Sequence, residues 1–197
     1  MIKIRHMSKK IDIMSLYLED YNRILSGREI ARLTELNHQT ALNHLKDLIN
    51  EKIMKYNIKG RNKNYFLDLM NPKARILIEI TESFKALKSL DNKELKFIIK
   101  DVLGFTEAII LFGSFASEKY NKNSDVDMVL LGKSNKNMIN KVKKRYNREI
   151  NIEYASFNDF YNSLRKKNAL AIEILKNHII YGDLSRIVDI FIRWYTR

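Results

Sequence analysis

The sequence predicts an α+β chain in two parts: a mostly helical N-terminal part ending in a β-hairpin, and a C-terminal α/β part with a small mixed sheet. Three observations carry this. A single proline, Pro72, and six glycines punctuate 197 residues, so helices are rarely interrupted. Up to residue 52 apolar residues recur at helical spacing, and two short β-like runs follow. Beyond the polar DNKE at 91–94, helices alternate with apolar, strand-like runs.

In chain order, residues 8–21 place Ile11, Met14, Leu18 and Tyr21 on one helical face. Residues 26–36 start at Ser26, a good N-cap, and align Ile30, Leu33 and Leu36. Residues 37–52 start at Asn37 and stripe Ala41, Leu42, Leu45, Leu48 and Ile49. The runs IMKYNIK (53–59) and YFLDL (65–69), separated by GRNKN, read as a hairpin with a basic tip. A helix pair followed by a hairpin is the layout of a winged helix-turn-helix. The stretches TALNHLKDL and IMKYNIKGRNKNYFLDL are similar to the recognition helix and Gly-Arg-containing wing of many winged-helix regulators. That resemblance implies DNA binding. Gln39, Thr40, Asn43 and His44 would face base edges, and Lys55, Lys59, Arg61 and Lys63 would reach phosphates. The same layout also serves dimerisation or protein contact, with these residues merely solvated.

Pro72 opens a connecting helix marked by Ile76, Ile80, Phe84 and Leu87. The expected division is 1–71 winged helix, 72–91 connecting helix, 92–183 catalytic-type domain and 184–197 C-terminal helix. Within the third part, a helix at 93–103 precedes strands at 107–113 and 126–132. A helix at 136–150, a strand at 150–156, helices over 157–177 and a strand at 178–182 complete it.

Net charge is +13, with an excess of +7 in residues 1–90 and +6 in 91–197. The basic character is spread along the chain and favours polyanionic partners such as nucleic acid or nucleotide phosphates. Basic clusters at Lys141, Lys144, Arg145 and Arg148 and at 165–167 suit an acceptor surface or a solvated helix face. The absence of cysteine excludes disulfides, thiolate zinc sites and a cysteine nucleophile. His6, His38, His44 and His178 show no metal-ligand spacing. No apolar stretch has the length of a membrane span, and the N-terminus lacks a signal-peptide core, so a cytoplasmic protein is expected.

The chemistry concentrates in FGSFASEKYNKNSDVDMVL (112–130). A strand-to-helix turn at Gly113-Ser114 offers close backbone approach, a hydroxyl and free N–H groups, all suited to phosphate. Asp125 and Asp127, two apart at the start of a strand, share one face. Paired carboxylates repel unless a cation binds or one takes a proton, and hard oxygen donors suit Mg²⁺. Glu153, in the strand INIEYAS, joins them if that strand lies alongside. Three carboxylates beside a phosphate turn describe a two-metal phosphoryl or nucleotidyl transfer site.

The stretch resembles the nucleotidyltransferase superfamily that includes DNA polymerase β, and within it the minimal nucleotidyltransferases, over roughly 92–183. Gly113, Ser114, Ala116, Ser124, Asp125 and Asp127 match its motif, and EILKNHIIYGD resembles its closing segment. Ser117-Glu118 stands where the family usually has Arg-Gly, and Glu153 where Asp is commoner. The resemblance implies that Gly113, Ser114 and Ser124 bind nucleotide, and that Asp125, Asp127 and Glu153 are catalytic and ligate two Mg²⁺ ions. The expected function is Mg-dependent transfer of an NMP from an NTP to a protein, nucleic-acid or small-molecule acceptor, by an enzyme fused to a DNA-binding winged helix. The alternative is a DNA-binding regulator or antitoxin-like protein whose nucleotidyltransferase domain is inactive or binds only a nucleotide or partner. A HEPN-like toxin and a second copy in a homodimer are further expected partners; a membrane is not.

Overall fold

The computed structural model describes residues 2–197, with side chains from Ser8 onward, so the side chain of His6 lies outside the described residues. The chain forms two compact units. One holds the described residues up to Thr81 with Tyr195–Arg197, and the other is Glu82–Trp194.

The first unit contains α1 (Ile2–Ser15), β1 (Leu25–Ser26), α2 (Gly27–Leu33), α3 (His38–Asn50), β2 (Met54–Lys59) and β3 (Asn62–Leu67). Helix α2 starts where the sequence places a cap. Ser26 Oγ accepts the Glu29 N–H, and the Glu29 carboxylate takes the Ser26 backbone N–H, a capping box. Asn37 caps α3 through the Gln39 N–H. The strands form an antiparallel sheet in the order β1-β3-β2. The hairpin is tighter than its sequence suggests, because Lys59 pairs with Asn62 and leaves a two-residue loop, Gly60-Arg61. Gly60 has φ +62°, the positive value that such short turns demand at their first position. Ile13, Met14, Tyr17, Ile30, Ala41, Leu45, Leu48 and Met54 fill the core. Within it the Tyr17 hydroxyl donates to the Tyr65 carbonyl at 3.0 Å.

Helix α4 (Pro72–Ser89) begins in the first unit and ends in the second. The residues that mark it as a helix in the sequence, Ile76, Ile80, Phe84 and Leu87, are its exposed ones. Ala74, Leu77, Ile78, Thr81, Glu82 and Ala86 are buried instead.

The second unit continues with α5 (Lys93–Leu103), β4 (Thr106–Phe112), α6 (Gly113–Ala116), β5 (Val126–Ser134), α7 (Lys136–Lys143) and β6 (Ile150–Ala155). It closes with α8 (Phe157–Arg165), α9 (Ala169–Lys176), β7 (Ile179–Gly182) and α10 (Leu184–Tyr195), whose last residue belongs to the first unit. Helix α7 stops at Lys143, well short of the expected residue 150. The four strands form a mixed sheet ordered β6-β5-β4-β7, with β5 and β6 parallel and the other neighbours antiparallel. The parallel pair requires the β5–α7–β6 crossover. Ile109, Leu111, Val126, Met128, Leu130 and Ile150 line one sheet face and pack with Leu95, Ile98 and Val102 of α5 and Ile139 and Val142 of α7. On the other face α8 covers β5 and β6. Helix α10 is anchored by the Trp194 indole N–H, which donates to the Leu164 carbonyl at 3.1 Å. Burial on both faces explains why β4 and β5 read as continuous apolar runs.

Candidate functional site

The site lies where β4 gives way to α6 and β5 begins. Gly113 follows the last residue of β4 with φ +68°. Asp127, the second residue of β5, pairs with Phe112 across the antiparallel ladder, which places its carboxylate over Gly113. A Cβ at position 113 would meet Asp127 Oδ2 at 2.6 Å. Glycine is therefore required twice, for the left-handed backbone and for the approach of the carboxylate. Asp125 lies just ahead of β5, two residues from Asp127, and both aspartates are half-buried.

The register of β6 decides what faces Asp127 from the other side. Asp127 pairs with Asn151, and Val129 pairs with Glu153. The Asn151 amide donates to Asp127 Oδ1 at 3.0 Å. Glu153 shares the face of Asn151 but stands one pair further along and is exposed. Among the described residues no group of three or more His, Cys, Asp or Glu side chains is assembled to hold a metal ion. The expected trio of Asp125, Asp127 and Glu153 is not such a group. The strand alongside is the one anticipated, but its register brings an amide, not a carboxylate, to Asp127.

The loop carrying Asp125 is held from outside. Ser124 Oγ accepts the Asn121 N–H at 2.8 Å, and Asn121 Oδ1 accepts the Asn123 N–H at 2.8 Å. The Arg148 guanidinium donates to the carbonyls of Asn121 and Ser124, pairs with Glu94 at 2.9 Å, and lies over the Phe115 ring at 5.3 Å. Its side chain is 13% exposed. Arg148 reads in the sequence as part of a surface basic run; instead it ties the Asp125 loop to the start of α5. Arg145 pairs with Asp101 at 3.7 Å. No periodicity signals either role, since both depend on where the chain turns after α7.

The Ser117-Glu118 departure has a conformational side. Glu118 has φ +56°, a backbone state in which glycine is at ease and a side chain is disfavoured. Its carboxylate is exposed and pairs with Lys88 at 3.1 Å. Ser117 Oγ donates back to the Gly113 and Ser114 carbonyls at 3.0 and 3.1 Å. Ser114 is half-buried.

In the first unit, Gln39, Thr40 and Asn43 of α3 are exposed, and Gln39 donates to Asn43 at 3.2 Å. His44 is a correction: it is 5% exposed and part of the buried face, so it cannot reach a base edge. Lys46, exposed one turn beyond Asn43, sits on the polar face in its place. Lys59, Arg61 and Lys63 are exposed at the hairpin end, with the Lys63 ammonium 4.4 Å from the Tyr56 ring centre. Lys55 is engaged by Asp68 at 2.9 Å. His178 and Glu82, both buried, bond to each other at 3.0 Å. No helix among the described residues is long and apolar enough to cross a membrane.

Comparison with curated proteins and with solved structures gives no match. Residues 92–192 match the family model described as a nucleotidyltransferase domain. Such domains typically use divalent metal ions, and the match supports nucleotidyl transfer as the general chemistry. It spans α5 to α10, the whole sheet and both aspartates, and the chain belongs to the nucleotidyltransferase domain family.

Proposed function

We propose that the second unit binds an Mg-NTP at Asp125 and Asp127 and transfers its NMP to the hydroxyl of a protein, nucleic-acid or small-molecule acceptor. The carrying observation is the Asp127 carboxylate lying over Gly113 at the β4–α6 turn, with Asp125 two residues away. The donor set fits a hard divalent cation. Two carboxylates with neighbouring hydroxyls are oxygen donors of the kind Mg²⁺ takes alongside substrate phosphates, and the missing side chain of Gly113 lets the Asp127 carboxylate lie against the backbone of the turn. When bound, Mg²⁺ supplies Lewis-acid stabilisation of charge developing on the triphosphate.

The chain's own residues supply the remainder. Gly113 admits the phosphates close to the backbone, and Ser114 and Ser124 offer hydroxyl donors. Glu153, exposed on the same face of β6, accepts the acceptor's hydroxyl proton. The acceptor oxygen then bonds to the α-phosphorus while the bond to pyrophosphate breaks. Incubation with labelled NTPs, Mg²⁺ and candidate acceptors tests this. Transfer is expected from wild type and loss of at least about a hundredfold in Asp127→Asn, since metal-held charge stabilisation is worth several kcal/mol. Equal silence in both, with no Mg-NTP bound, refutes it.

The first unit is assigned as a winged helix that binds DNA through Gln39, Thr40, Asn43 and Lys46 of α3 and Lys59, Arg61 and Lys63 of the hairpin. The exposed polar face of α3 beside a basic hairpin end supports this. A second reading, a regulator whose second unit senses nucleotide without transferring it, is favoured by the amide of Asn151 at Asp127. Gel shifts on upstream DNA, with and without Mg-NTP, separate the two. A nucleotide-dependent shift from a chain inactive in transfer supports the regulator.

A further inference from the structure

Asn151 is the one polar side chain paired in register with Asp127 on β6, and its amide donates to Oδ1 at 3.0 Å. A carboxylate there would set two like charges face to face, a state stable only with a cation or a proton between them. The amide removes that requirement by supplying the hydrogen that satisfies Oδ1. Asp127 is then fixed on both sides, with Oδ1 on Asn151 and Oδ2 over Gly113. Glu153 lies two residues further along β6, about 6.6 Å at the usual strand rise, opposite the apolar Val129. Two-metal sites hold their ions about 3.5–4 Å apart, on both the attacking and the leaving oxygens. Here both aspartates lie in one short segment, at 125 and 127.

We propose that Asn151 restricts this site to a single divalent cation, the one that accompanies the triphosphate, so that a side chain and not a second ion must take the acceptor's proton. This rests on the assignment of Asp125 and Asp127 to a metal–nucleotide site. It makes Asn151 a positioning residue that also sets the ion count. An aspartate at 151 would face Asp127 across the parallel pair and complete a bridge between two strands.

The test is Mn²⁺ counting by electron paramagnetic resonance on the full chain, saturated with an α,β-methylene NTP analogue. One bound Mn²⁺ per chain is expected for wild type and for Asn151→Ser, and two for Asn151→Asp. Facing carboxylates strain the fold without a cation, so melting is followed in parallel. Mn²⁺ should raise the melting temperature of Asn151→Asp by more than that of wild type, and NMP transfer by this variant should rise at least about tenfold. Two ions in wild type overturn the inference and leave the metal–nucleotide assignment standing, as does a single ion in a folded Asn151→Asp. No bound Mn²⁺ in wild type overturns both. If Asn151→Asp does not fold even with Mn²⁺, the wild-type count decides.

Discussion

Replacing Gly113 with alanine tests the geometry of the site without touching a charged group. Two costs follow from the structure. The backbone at φ +68° is a left-handed state that costs a side chain about 1–2 kcal/mol. The new Cβ would meet Asp127 Oδ2 at 2.6 Å, so the carboxylate must leave its rotamer, for about 0.5–1.5 kcal/mol more. The total is about 1.5–3.5 kcal/mol, or roughly 6–14 °C in the melting of a unit this size at about 4 °C per kcal/mol. Gly60→Ala is the control. Its φ is +62°, but nothing lies within 4 Å of the added Cβ, so only the same backbone cost of about 1–2 kcal/mol applies. Differential scanning fluorimetry with a fluorescent NTP analogue reads both quantities. Gly113→Ala should melt early and lose Mg-dependent nucleotide binding, whereas Gly60→Ala should keep it. Equal destabilisation by both substitutions, or full binding by Gly113→Ala, refutes the close approach of Asp127 as the reason for this glycine.

Other expectations follow from single contacts. Ser26→Ala removes one side of the α2 capping box and should cost about 1 kcal/mol in denaturant melts. The hydrogen bonds from Ser26 hold the Glu29 carboxyl below its ordinary range, so that contribution is present above that range and fades as pH falls through the lowered value. Burial pushes the Tyr181 phenol up to about 12, so the folded state holds this proton more tightly than the unfolded chain. Its contribution is complete below about pH 10 and is lost as pH rises towards 12; Tyr181→Phe should flatten that alkaline fall in a pH series of melts. Arg61→Ala and Lys63→Ala should each reduce the salt dependence of DNA affinity by about one unit of slope, read by fluorescence anisotropy. His44→Ala should destabilise the first unit, because the ring is buried.

Much of the layout was legible because local chemistry and tertiary packing agree. Asn92 caps α5, which covers the expected helix at 93–103. Strands β4 and β5 fall on the two apolar runs flanking the Gly-Ser turn. What escaped depends on register and on which face finds a partner. Strand periodicity puts Asn151 and Glu153 on one face equally well; only the pairing set by the α7 crossover selects Asn151. The stripe Ile76–Ile80–Phe84–Leu87 identifies a helix, yet the opposite residues are buried, because periodicity reports that a face exists and not that it is covered. His44 is polar by type but lies one turn from Leu48 on the buried face of α3. Arg148 belongs to a basic run by composition, and the early end of α7 turns it inward.

The most direct test of the central claim is calorimetric titration of an NTP into wild type and Asp127→Asn, with Mg²⁺ and with EDTA. The account predicts binding to wild type that needs the cation and is weakened at least about tenfold in Asp127→Asn. Binding that is indifferent to Mg²⁺ and to the substitution would contradict it.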